Sequence, residues 1–261
     1  MFNTSDSTLN HADRTVLITG AGGGIGAAIA ERYAQAGASL CLVDRDAVAG
    51  EALADQLRRH VGLVHFVQAD VGSFEQCQAA CDSARAALGP VDTVVNNAGI
   101  SPKHNGLPAP IWQMDPAEWR QVINVNLNSV FHFTRLLAPG MVERRFGRIV
   151  SMSSVAGKAY LDIVAAHYST TKAALIGMTR HLAGELGPYG ITVNALAPGR
   201  IDTPMVAGAP QAANDAVVAA TPLRRLGTPD EVAAACLFLT SASAGFITGQ
   251  VVDVAGGWLM T

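Results

Sequence analysis

The chain has 261 residues and a net charge of −3, and only 15% of it is charged, against roughly 25% in a typical soluble domain. Three of its 18 basic residues are lysines (Lys103, Lys158 and Lys172), too few for a protein that lives on phosphate contacts, so no nucleic-acid partner is expected. With 49% hydrophobic residues the chain is not disordered, and no apolar run approaches the ~20 residues that a membrane helix needs, so no membrane partner is expected either.

The opening MFNTSDSTLNHADR is polar and has no apolar core, which predicts a flexible tail over 1–13 rather than a secretory signal. From residue 14 to 261 a single cytoplasmic domain is expected. TVLIT (15–19) reads as a strand that runs into TGAGGGIG and the helix GIGAAIAERYAQAG. SLCLV (39–43) precedes the helix DAVAGEALADQLRRH, and VHFVQA (64–69) precedes SFEQCQAACDSARAAL. DTVV (92–95) leads into a loop at 100–115 and then the long helix PAEWRQVINVNLNSVFHFTRLL. RIVSM (148–152), the helix HYSTTKAALIGMTRHLAGEL and ITVNAL (191–196) follow, then a second loop at 200–222. The helix PDEVAAACLFL and a strand near QVVDV (250–254) close the pattern.

Runs that are apolar at almost every position indicate strands buried on both faces. Alternating with helices, they predict the α/β class: one doubly wound, Rossmann-like domain with a seven-stranded parallel sheet flanked by helices on both faces. Gly37, Gly89 and Gly187 are placed to stop helices, and Asp115–Pro116 and Thr228–Pro229 to start them. Loops 100–115 and 200–222 both follow strands, so both should lie over the carboxyl edge, where open α/β folds bind ligands. The cysteines (Cys41, Cys77, Cys81, Cys236) form no paired framework and no histidine stands at ligand spacing, so no metal is expected. Cys77 and Cys81 read as a core-facing helical pair.

The first strand-to-helix turn is glycine-rich. Gly20 permits a tight turn, and Gly24 and Gly26 let backbone N–H groups and the helix start approach a pyrophosphate. The spacing is TGxxxGxG; GxGxxG fails at Ile25, while Gly22-x-Gly24-x-x-Ala27 fits its looser form. Asp44 ends the second strand, where a carboxylate accepts hydrogen bonds from ribose hydroxyls and repels a 2′-phosphate. Its competing reading is an N-cap for the helix near Asp46. Arg45 would partly accommodate a phosphate, so NAD is preferred and NADP stays open.

Tyr168 and Lys172, in YSTTK, lie four apart on a predicted helix, which puts an ammonium near a phenol on one face. TGAGGGIG, NNAG (96–99), the serine of SMSSVAG, YSTTK and PGRIDT (198–203) occur together in the order and spacing of the short-chain dehydrogenases/reductases. The chain resembles the single-domain NAD(P)-dependent branch of that family from about 14 to 258.

The resemblance implies that Tyr168 is the acid/base exchanging a proton with the substrate oxygen, assisted by Lys172. Ser154 would hydrogen-bond that oxygen; Ser151 and Ser153 are nearby rivals, and SVAG after the serine favours Ser154. Asn126, in INVNLNSV, matches the asparagine that holds a water linking Lys172 to solvent, preferred over Asn124 and Asn128 because Leu127 follows it. Gly20, Gly24, Ile25, Gly26 and Asp44 match cofactor contacts, as do Tyr168 and Lys172. Asp70 and Val71 would meet the adenine, and Asn96, Ala98 and Gly99 would pass beneath the ribose. Pro198, Gly199, Ile201 and Thr203 would orient the carboxamide. One departure is VAGG at 254–257, where the family commonly has VDGG, so Ala255 lacks a carboxylate near a subunit contact.

The function implied is hydride transfer between NAD(H) and a secondary alcohol or ketone, by a homotetramer acting on a small molecule. A 3-oxoacyl-carrier-protein-type ketoreductase using NADPH is the alternative. A non-catalytic dinucleotide-binding sensor is the competing class, against which the intact Asn126, Ser154, Tyr168 and Lys172 speak. Arg144, Arg145 and Arg148 are expected in a solvated turn, and His167 to pack or cap. Lys103 and His104 are expected in an exposed loop, with contact to an anionic or polyhydroxylated substrate as the competing reading.

Overall fold

In the computed structural model, which describes residues 9–59, 63–207 and 210–261, the seven expected strands form one parallel sheet. They are β1 (Thr15–Thr19), β2 (Ser39–Asp44), β3 (Val64–Gln68), β4 (Thr93–Asn96), β5 (Gly147–Met152), β6 (Ile191–Pro198) and β7 (Val251–Val254). Their order is β3-β2-β1-β4-β5-β6-β7, so the winding reverses between β1 and β4. The registers Val16↔Leu40 and Val16↔Thr93 fix the two neighbours of β1.

Residue alternation divides each central strand between two cores. Val16, Ile18, Leu40 and Leu42 face one layer of α1 (Gly24–Gln35), α2 (Ala47–Arg58) and α9 (Pro229–Thr240). Leu17, Cys41, Val43 and Ile149 face the other, made of α3 (Phe74–Leu88), α5 (Ser129–Arg144) and α6 (Ala166–Leu186). The inner strands β1, β4, β5 and β6 are buried at every position. The edge strands β3 and β7 are only partly covered, because an edge strand has a neighbour on one side only. All four cysteines are buried and unpaired, with Cys77 and Cys81 in the core as expected.

The helix starts follow the sequence. Asp115 caps α4 (Pro116–Ile123) by accepting from the Ala117 N–H, and Thr228 and Glu231 form a reciprocal capping box at α9. At the other ends, Gly37 and Gly89 turn left-handed, but Gly187 does not. A 3₁₀ turn over Gly187–Tyr189 prolongs α6, and the left-handed residue is Gly190.

Five further expectations change. Residues 1–8 of the expected tail lie outside the described residues, but His11 is buried, stacks edge-on against Tyr33 at 5.1 Å and donates its backbone N–H to the Ala36 carbonyl. Burial lowers its pKa to about 4. The loop at 200–222 contains two helices, α7 (Pro204–Ala207) and α8 (Gln211–Ala220). Loop 100–115 contains a two-residue hairpin: His104 and Leu107 exchange backbone hydrogen bonds, and Asn105 and Gly106 both have positive φ. The long helix is interrupted, because a π-turn over Asn124–Asn128 separates α4 from α5. Arg148 is buried rather than solvated: its Nη1 donates to the Gly147 carbonyl and its guanidinium stacks on Phe146. Arg144 and Arg145 donate to the Val91 and Pro188 carbonyls, so this cluster stitches turns together.

Candidate active site

The glycine turn is built around close backbone approach. Gly20 has φ +65°, and a Cβ there would sit 2.8 Å from the Ala98 Cα. A Cβ on Gly26 would collide with the Gly20 carbonyl. Asn97 closes this knot by donating its amide to the Thr19 and Gly20 carbonyls, at 3.0 Å each. α1 then starts without a side-chain cap and without an acid in its first turn, and a Cβ on Gly23, its N-cap, would meet open space. Uncapped N–H groups and a positive helix end fit a pyrophosphate.

Asp44 is not the cap of α2. Asp46 fills that position, accepting from the Val48 and Ala49 N–H groups. The Asp44 carboxylate instead accepts from the Gly22 N–H at 2.8 Å and the Asp46 N–H at 3.0 Å, at the rim of a cavity of about 1140 Å³. That volume exceeds the usual range of ligand sites, roughly 300–1,000 Å³. It covers the carboxyl edge of the sheet, and both 100–115 and 200–222 line it, as expected.

At the other side of the switch point stand Ser154, Tyr168 and Lys172. β5 delivers the Ser154 region. Ser151 lies inside the strand opposite Asn96, and the Ser153 hydroxyl is committed to the Lys172 carbonyl at 2.8 Å. The Ser154 oxygen accepts from the Ala156 N–H at 3.1 Å, leaving its hydroxyl proton to donate elsewhere. α6 places Tyr168 one turn before Lys172, whose Nζ sits 5.5 Å from the phenol ring centre. The Lys172 ammonium is buried and donates to the Met152 carbonyl at 2.6 Å. Burial drops its pKa to about 8, and burial raises that of Tyr168, the Ser154 hydroxyl working against the rise. Desolvation therefore pushes both groups toward neutrality.

Of the residues singled out by sequence, Gly20, Gly24, Ile25, Asp44, Asp70, Val71, Ala98 and Gly99 line the cavity, as do Ser154, Tyr168, Lys172, Pro198, Gly199, Ile201 and Thr203. Three do not. Gly26 packs behind the wall against Gly20. Asn96 is buried inside β4 with its amide toward Ser151, and its neighbour Asn97 takes the place on the wall. Asn126 sits behind Gly99 and Ile100: its amide accepts from the Ile100 N–H at 2.8 Å and donates to the Ile100 carbonyl at 2.9 Å. A Cβ on Gly99 would lie 3.5 Å from the Lys172 Nζ and 3.6 Å from the Asn126 Oδ1, so the three meet at one point. Of the two rivals of Asn126, Asn124 lines the cavity and accepts from the Asn128 amide at 2.7 Å.

His167 packs, as expected. It is fully buried and its Nε2 contacts Glu118 at 2.9 Å, while His104 takes the other Glu118 oxygen at 2.7 Å. Ala255 packs against Gly199, where a Cβ on the glycine would lie 3.1 Å from the Ala255 Cβ. Arg200, one residue beyond Gly199, lines the cavity and was missed in sequence because nothing in the spacing of PGRIDT marks its side chain for the pocket.

A glycine-knotted α/β switch point facing a Ser, Tyr and Lys set defines a dinucleotide-dependent oxidoreductase site, and known proteins agree. The family model described as enoyl-(acyl carrier protein) reductase matches residues 20–259. The chain is 39% identical over 245 residues to an acetoacetyl-CoA reductase of Shinella zoogloeoides, spanning 94% of this chain and 98% of that protein. It superposes with a TM-score of 0.92 on a 3-oxoacyl-[acyl-carrier protein] reductase of Brucella melitensis with bound NAD, at 48% identity, covering 100% of this chain and 97% of the other. A putative NAD(P)-dependent gluconate 5-dehydrogenase of Beutenbergia cavernae with bound NADP gives a TM-score of 0.90 at 35% identity, covering 98% and 100%. The chain belongs to the short-chain dehydrogenase/reductase family, and is thus an NAD(P)-dependent oxidoreductase.

Because there are only three lysines, the Lys172 shift is directly measurable. In protein carrying ¹³C-labelled lysine, one Cε resonance should titrate near 8; three midpoints above about 10 would contradict the burial described here. The sign for folding is fixed: between about 8 and the ordinary 10.5 the unfolded chain holds the extra proton, so this group adds stability as pH rises through that window.

Proposed function

We propose that the protein interconverts a secondary alcohol and a ketone using NAD(H), with Tyr168 as acid/base. The single observation that carries this reading is the meeting of Ser154, Tyr168 and Lys172 on one wall of a cavity whose other wall is the glycine turn. The bound nicotinamide would supply or accept the hydride. In the reducing direction the Tyr168 Oη–H gives its proton to the carbonyl oxygen as that oxygen gains charge. A phenol kept protonated by burial suits this direction. The Ser154 hydroxyl, its oxygen already held by Ala156, donates to the same oxygen and stabilises its charge. Lys172, anchored on Met152, supplies positive potential beneath the phenol when alcohol is oxidised and Tyr168 must accept a proton. Asn126 fixes the Gly99–Ile100 strand end that covers Lys172.

Asp44, Asp70 and Val71 would hold the adenosine half, and Gly20, Gly24 and Ile25 the pyrophosphate. Ala98 and Gly99 would lie under the ribose, with Pro198, Gly199, Ile201 and Thr203 against the carboxamide. The carboxylate of Asp44, turned to the cavity rim, favours a ribose hydroxyl over a phosphate. A second reading, reduction of a 3-oxoacyl thioester, is supported by the activities in the names of the Shinella and Brucella relatives. A homotetramer in the cytoplasm belongs to the same proposal; the partly covered β7 edge, exposed Phe246 and four free thiols support it.

Tyr168→Phe should lower kcat by about 10²–10⁴-fold on any alcohol that is turned over, without loss of NADH binding. Equal turnover by this variant would sink the mechanism. Asp44→Ala should narrow the preference for NADH over NADPH in fluorescence titrations, and an unchanged ratio would remove Asp44 from that role. Light scattering should give about four times the 27.1 kDa of one chain, whereas a monomer would refute the tetramer.

A further inference from the structure

Five cations line the cavity, Arg45, Lys103, Arg120, Lys172 and Arg200, and two of them, Lys103 and Arg200, stand on the segments that follow β4 and β6. Lys103 follows β4 and donates its ammonium to the Ile163 carbonyl, in the segment leading into α6. Arg200 follows β6, and its Nε and Nη2 both donate to the Oδ1 of Asn214, buried in α8, at 3.0 and 2.7 Å. Among the described residues neither cation has an acidic partner within 4.0 Å. Burial first, and then the charge of Arg200, hold the Lys103 ammonium below its ordinary pKa; burial alone does the same to Arg200.

The segments that carry them meet. A Cβ on Gly106, at the tip of the hairpin after Lys103, would lie 3.6 Å from Pro210 at the start of α8. Ser101 lines the same cavity, and among the described residues its buried hydroxyl has no partner. Asp162 and Arg120, exposed like Lys103, also line it, and among the described residues neither forms an ion pair.

Two like charges that face one cavity repel each other unless an anion joins them. Their present partners, a backbone carbonyl and an amide oxygen, position them without cancelling their charge. Arg200 spends Nε and Nη2 on Asn214 and keeps Nη1 to donate. We propose that Lys103 and Arg200 form an anion-binding subsite, and that the substrate is an oxo or hydroxy acid whose free carboxylate bridges them. The Ser101 hydroxyl is the third donor. This rests on the reading of the cavity as the site of alcohol–ketone exchange, and it deepens that reading by separating a free acid from a neutral ester or thioester.

The test reads binding rather than turnover. Protein saturated with oxidised NAD cannot reduce a ketone, so acetoacetate, levulinate and their methyl esters can be titrated calorimetrically into that complex. At least one acid should bind about tenfold or more tightly than its ester, as a charge-assisted contact predicts. Lys103→Met and Arg200→Met should each abolish that preference while NAD still binds, and Arg120→Met should preserve it. Lys103 lies on an exposed loop, so Lys103→Met decides the matter alone if Arg200→Met fails to fold. Equal binding of acid and ester by the parent, a preference surviving Lys103→Met, or its loss in Arg120→Met would each overturn the subsite. Acid-selective binding with no turnover of any acid would refute the proposed reaction and leave the subsite standing. Turnover of ketones with no acid preference would do the reverse.

Discussion

The site depends on how one buried ammonium is accommodated. Lys172 is buried, and its Nζ donates a hydrogen bond to the Met152 carbonyl at the end of β5, while its own carbonyl accepts from the Ser153 hydroxyl. The two bonds fasten α6 to the end of β5 at a single residue. A Cβ on Gly157 would come within 2.6 Å of the Lys172 backbone, so the turn after Ser154 is pressed against the same point. Ser154 and Tyr168 are thereby fixed relative to each other by groups that face away from the cavity. The cost is visible in the lysine: a fall from 10.5 to about 8 amounts to about 3 kcal/mol against its charged form. The arrangement holds an ammonium where removing its proton is comparatively easy, beside a phenol where removing it is hard.

The sheet explains why a nucleotide and a small substrate share one cavity. Strand order reverses between β1 and β4, so the segments after these strands part and leave a crevice. The glycine turn after β1 and the Ala98–Gly99 segment after β4 form its floor, and the segments after β5 and β6 form the reactive wall. Charge is distributed accordingly. Asp44 and Asp70 stand with the glycine turn beside Arg45, whereas Lys103 and Arg200 are carried by the segments 100–115 and 200–222.

The strands and most helices were legible because a parallel sheet covered on both faces demands unbroken apolar runs, as in TVLIT and ITVNAL. The candidate site was legible because Tyr168 and Lys172 are bound by helical spacing and sit among other matched motifs, and the structure brings both to the cavity. What escaped had a different physical origin. α8 lies in an alanine-rich stretch between Pro210 and Pro222, where the prolines read as loop although alanine favours helix. The hairpin at His104–Leu107 was announced by Asn105–Gly106, a pair suited to two consecutive positive φ angles, but no alternating strands flank it. Arg148 looked solvated because charge suggests surface; stacking on Phe146 and bonding to backbone carbonyls let it stay inside. Asn96 and Asn97 are adjacent, and only the backbone geometry decides which faces the cavity.

The π-turn over Asn124–Asn128 puts one more residue into a helix than its rise requires. In an α-helix each residue turns the chain by about a hundred degrees, so removing one residue here would rotate everything on one side of the gap. Asn126 would then lose its paired bonds to Ile100, or Phe133 and Leu137 would leave the core. No smooth helix satisfies both demands. The bulge is therefore an insertion that the fold cannot give back: it records, in the phase of a single helix, that the site and the core were fitted to different registers.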